Sequence, residues 1–116
     1  MLEVSFKRVK PGKVDKLRAW MRELTDRRGE VRESFGHEGV RHEMAWLLED
    51  EQGYILAYAI EAEDLDAARE AYGESTLAID LQHREVLRDV LGERVEPELL
   101  YELAVDETET PESQET

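Results

Sequence analysis

Cysteine is absent from the chain, which removes disulfides, thiolate nucleophiles and every metal or iron–sulfur centre built on sulfur ligands. Lysine is scarce and confined to Lys7, Lys10, Lys13 and Lys16, the remaining basic residues being arginines. No apolar run reaches membrane-spanning length, and Met1 to Arg8 show neither the basic start nor the apolar stretch of a secretion signal. A cytoplasmic location is therefore expected. A phosphate-cradling glycine loop, a serine-centred nucleophile elbow and a basic array interleaved with aromatics are all missing as well.

Acid is present in excess. The 29 Asp and Glu against 15 Lys and Arg give a formal charge of -14, and such a field repels phosphate backbones and anionic headgroups alike. Nucleic acid and membrane are disfavoured as partners on sign alone, since binding to either needs a concealed basic patch. The acids run along the whole chain instead of forming one block, and with lysine so scarce the composition resembles that of halophilic archaeal proteins. Molar salt screens such self-repulsion over a few ångströms. A length of 116 residues suits one domain with one core. That domain is expected over 1–105, followed at 106–116 by an acidic tail with nothing to bury and hence disordered.

Leu2, Val4 and Phe6 alternate with polar neighbours as a half-buried strand does, and Pro11-Gly12 ends it. Val14, Leu17, Met21, Leu24 and Val31 carry helical spacing, predicting one long amphipathic helix that leaves through Gly36 and Gly39. Alternation over His42–Leu48 and Tyr54–Ile60 around a turn at Asp50–Gly53 reads as a β-hairpin. Asp64 is the expected cap of a short helix to Tyr72, Ser75 that of a second helix to about Leu91, and Gly92 its stop. Leu99, Tyr101, Leu103 and Val105 are expected to form the last strand. Together these give an α+β, ferredoxin-like βαββαβ fold, a four-stranded antiparallel sheet with helices on one face.

In that arrangement Val4, Phe6, Met44, Trp46, Leu56, Tyr58, Tyr101 and Leu103 are expected under the helices. Ser5, Ala45, Leu47, Ile55, Ala57, Ala59, Leu100 and Ala104 are left on a face still too apolar for water. A second copy of the sheet covers such a face economically, because a twofold axis matches one patch to itself. The segments Phe6–Lys13, Glu38-Gly39-Val40 leading to Glu43, and Ile79–His83 resemble a family of uncharacterised small bacterial and archaeal proteins in the dimeric α/β-barrel group. The resemblance implies a homodimer. It leaves the activity open, since barrels of this group include quinol-forming monooxygenases, sugar mutarotases and haem enzymes.

His83 interrupts the stripe Ile79, Val86, Leu87, Val90, so its imidazole faces the core either as an acid or base or as a satisfied structural group. Asp80, one turn earlier, is placed either to orient His83 as a catalytic partner or to pair with Arg84. His42, Trp46, Tyr58 and Tyr101 are expected around the same apolar space, a candidate substrate pocket. Glu43 is expected on the opposite sheet face with Glu102, near Lys7, as a proton acceptor inside the barrel or as an interface ion pair; the resemblance adds weight to Glu43. No spacing supports a metal site, and no cofactor is expected. The functional expectation is a homodimer whose pocket performs cofactor-independent monooxygenase- or isomerase-like proton transfer on a small molecule, the alternative being a noncatalytic binding or assembly module.

Overall fold

The computed structural model describes residues 1–105; the expected tail, 106–116, lies outside the described residues. The elements run β1 (Leu2–Val9), α1 (Val14–Asp26), α2 (Arg28–Glu38), β2 (Val40–Asp50), β3 (Gly53–Ala62), α3 (Leu65–Glu74), α4 (Ala78–Val90) and β4 (Leu91–Val95). The strands form one antiparallel sheet in the order β2-β3-β1-β4. This is an α+β fold whose helices come as two consecutive pairs.

The long helix expected after β1 breaks at Arg27, where φ −103 and ψ 37 leave the helical region. The side chain of Arg27 secures the joint, reaching Glu23 and Glu30 at 2.7 Å each and Gln82 on α4 at 2.6 Å. Asp64 caps α3 as expected, its Oδ1 accepting from the Ala67 backbone N–H at 3.0 Å. Ser75 does not cap α4 in the usual way. Leu77 occupies the N-cap position, and the Ser75 hydroxyl turns to Asp80.

The last strand needs a larger correction. Helix α4 passes without a loop into β4, so Gly92 lies within a strand that pairs with β1 through Phe6–Val95 and Val9–Leu91. Leu99, Leu100, Tyr101, Leu103 and Val105, the expected strand, carry no strand pairing and are 69% to 104% exposed.

The sheet faces also differ from expectation. Register places Ser5 and Ala45 on either side of Tyr58, and Lys7 and Leu47 on either side of Leu56, so these share the face that Leu17, Met21, Val86, Leu87 and Val90 cover. Val4, Phe6, Met44 and Trp46 lie on the other face, flanking Ala57 and Ala59. Only β3 has the expected phase. One residue of slip reverses a strand's faces, and β1 and β2 are reversed because their larger apolar side chains point away from the helices. Val4, Met44, Trp46 and Leu48 remain 42% to 46% exposed.

Candidate functional site

Strands β1 and β2 turn polar side chains under the helices: Glu3, Ser5 and Lys7 from the first, Glu43 from the second. Polar residues on a covered face prevent close apolar packing, and a cavity of about 220 Å³ results. Its other walls are largely apolar, with Leu24, Phe35, Leu56, Ile60 and Ile79 among them. Glu43 and Tyr58 also line a second cavity of about 410 Å³ between α1, α2 and β2.

Helical spacing brings His83 inward from α4, where it meets Trp20 of α1 and Tyr58 of β3. The Trp20 indole N–H donates to His83 Nδ1 at 2.7 Å. Indole nitrogen is only a donor, so Nδ1 must be the acceptor, and the proton of the neutral ring sits on Nε2. That nitrogen lies 3.3 Å from the Tyr58 hydroxyl oxygen, whose own hydrogen goes to Glu43 Oε1 at 2.6 Å. The result is a one-way chain of donors, Trp20 to His83 to Tyr58 to Glu43. Three aromatic rings enclose the imidazole, with centroids 5.9 to 6.3 Å away.

Burial sets the proton affinities along this chain. It holds the His83 imidazole down at about 4 against the weaker pull of Asp80, so the ring is neutral at physiological pH. Burial raises Glu43 despite the Tyr58 hydrogen bond, and the charge of Asp80 adds to the rise. Tyr58 is pushed well above the phenol range by burial and by Glu43. Within hydrogen-bond reach of one another lie a carboxyl with raised proton affinity, a phenol that stays protonated and an imidazole that stays neutral, a composition typical of proton-handling sites.

A second polar group surrounds Asp80. Its Oδ1 accepts from Ser34 and its Oδ2 from Ser75, each at 2.6 Å, and Ser34 also meets Glu38 at 3.0 Å. Asp80 thus bonds neither His83, whose two nitrogens are engaged elsewhere, nor Arg84, which donates to the Tyr72 and Ser75 carbonyls. Arg84 also lies over the Tyr72 ring. The Tyr72 hydroxyl is buried, and has no hydrogen-bond partner among the described residues.

Of the residues singled out in the sequence, the structure brings His83, Tyr58, Glu43 and Asp80 to one cavity. It separates three others from it. His42 pairs with Glu61 on the open face beyond a register shift at Val40/His42, Trp46 shares that face, and Tyr101 is 78% exposed. Trp20, Ser34, Glu38 and Tyr72 were not expected at the site. Trp20 was legible as a core residue one helical turn from Leu17 and Leu24, but its partner on α4 was not, since no local spacing links α1 to α4.

Among the described residues no group of three or more His, Asp or Glu side chains is placed to hold a metal ion, and no helix is long and apolar enough to cross a membrane. No curated protein and no solved structure matches the chain. A family model matches residues 2–111; it describes a family of unknown function (DUF6176).

Proposed function

The chain belongs to this family of unknown function, and from its cavity we propose that it is a small-molecule-binding protein carrying out cofactor-independent, isomerase-like proton transfer. The observation that carries this reading is the hydrogen-bonded chain from Trp20 through His83 and Tyr58 to Glu43, which ends on a carboxyl group in a largely apolar cavity. Glu43 is the base. Its Oε1 is held by Tyr58, and Oε2 receives no hydrogen bond among the described residues. Glu43 takes a proton from a carbon beside a ligand carbonyl, the C–H electron pair moves onto the carbonyl oxygen as an enolate, and the proton returns to the same or another carbon. The partnerless Tyr72 hydroxyl supplies a donor for that oxygen. His83 positions Tyr58 and is not itself the base, because Nδ1 is taken and Nε2 already bears a hydrogen.

The molecule in this proposal is a homodimer of ferredoxin-like, barrel-forming subunits. The strand order β2-β3-β1-β4 with helices on one face supports the fold. The exposed Val4, Met44, Trp46 and Leu48, together with the exposed Leu99, Leu100, Tyr101, Leu103 and Val105, support the dimer, since a soluble chain rarely leaves so much apolar surface uncovered. Its acid-rich surface suits a cytoplasm of high salt.

Small carbonyl compounds screened by ligand-observed NMR, with binders then incubated with the protein in deuterated buffer, test the reading. Solvent deuterium should enter the carbon beside the carbonyl with the wild-type protein and at least tenfold more slowly with Glu43→Gln. Equal exchange by both proteins would remove Glu43 as the base, and binding without exchange would leave a noncatalytic binding module.

A further inference from the structure

A serine hydroxyl has one hydrogen to give, yet Ser34 Oγ stands within bonding distance of two buried carboxyl groups, Asp80 at 2.6 Å and Glu38 at 3.0 Å. That hydrogen can be directed fully at only one of them. The other contact becomes a hydrogen bond only when that carboxyl group brings a proton of its own.

The surroundings decide which carboxyl carries it. Asp80 lies in the first turn of α4, where the helix dipole favours negative charge, and takes a second hydroxyl from Ser75 at 2.6 Å. Glu38 is the last residue of α2, where the dipole opposes negative charge, and among the described residues Ser34 is its only hydrogen-bond partner. We propose that Glu38 holds a proton in the resting protein, donating it to Ser34 while Ser34 donates to Asp80, and that this proton makes Glu38 the acid of the cavity opposite the base Glu43. The donor role rests on the function proposed above; the storage of the proton does not.

The charged and titratable groups facing Glu38 are Asp80 and Arg84 from α4, Glu43 from β2, Tyr58 from β3 and Tyr72 from α3. Burial raises Glu38 to about 7, a Ser34 hydrogen directed at Glu38 opposes the rise and no longer does so once Ser34 donates to Asp80, the charges of Asp80 and Glu43 add to the rise, and Arg84 pulls back. Each proton moved is accounted for. Glu43 gains one from carbon, Glu38 loses one to the enolate oxygen, and both return when the enol collapses to product.

Infrared spectroscopy of ligand-free protein, with carboxyl-¹³C glutamate to separate Glu from Asp, reads the stored proton directly. A protonated glutamate band should be present near neutral pH, fade as pH rises through neutrality, persist in Glu43→Gln and vanish in Glu38→Gln. A spectrum with no such band, or one in which the band vanishes with Glu43, would overturn the assignment; neither reading requires the Glu38 variant to fold. Where the deuterium assay finds a substrate, the wild-type rate should fall as pH rises through neutrality. The Glu38→Gln rate should be lower and without that fall. A variant that kept the fall would refute the donor role while leaving the infrared result intact.

Discussion

Because an indole nitrogen only donates, Trp20 gives His83 a fixed tautomer, and the choice of replacement at position 83 becomes informative. Glutamine offers an acceptor to Trp20 and a donor to Tyr58, whereas leucine strands the indole N–H in a buried place at a cost of about 1–3 kcal/mol. Chemical denaturation should therefore find His83→Leu less stable than His83→Gln by about that amount. The imidazole also leaves a mark on pH dependence. With its folded value lowered to about 4 from 6.5, the unfolded chain takes up the proton first, so the stability contributed by neutral His83 is complete above 6.5 and lost as pH falls towards 4. Glu38, raised to about 7 from 4.5, has the opposite sign: its contribution is complete below 4.5 and lost as pH rises towards 7. Where the windows overlap the two slopes oppose each other, each on the order of 1 kcal/mol per pH unit. Stability of Glu38→Gln relative to wild type should thus rise with pH across that interval, and urea titrations at a series of pH values check it.

At the scale of elements, Asp64→Ala should lower stability by about 1 kcal/mol through the lost cap of α3, and Asp64→Ser should restore most of it; thermal melts of the three proteins suffice. That cap was legible in sequence because capping is local. So were the helical stripe containing His83 and the phase of β3, whose large residues Tyr54, Leu56, Tyr58 and Ile60 do face the helices. The phases of β1 and β2 were not legible. Placing the bulkiest apolar residues inward is a sound rule for a filled core, and it fails where the interior holds a polar-lined cavity and the exterior is apolar. That failure moved Glu43 to the wrong side of the sheet and His42 and Trp46 to the wrong side in exchange. The final strand was misplaced for another reason: two neighbouring segments, Leu91–Val95 and Leu99–Val105, both suit extended chain, and only pairing with β1 chooses between them.

On the scale of the whole molecule, the open sheet face and the net charge of -14 make separate demands on the solvent. Trp46→Asp places a charge amid Met44, Val4 and Phe6, and under the proposed assembly sedimentation in molar KCl should show the variant as a folded monomer and the wild type as a dimer. A wild-type monomer at micromolar concentration would contradict the proposed assembly. Wild-type thermal unfolding should move to higher temperature from dilute buffer to molar KCl as self-repulsion is screened. The placement of the two tryptophans makes both layers of the molecule visible to light. Trp20 is 6% exposed and bonded to the cavity's imidazole, while Trp46 is 44% exposed on the face proposed to meet a second copy. Their emission should be resolvable into a blue component that responds to occupancy of the cavity and a red one that responds to dilution, so an unlabelled sample can report ligand binding and subunit association independently.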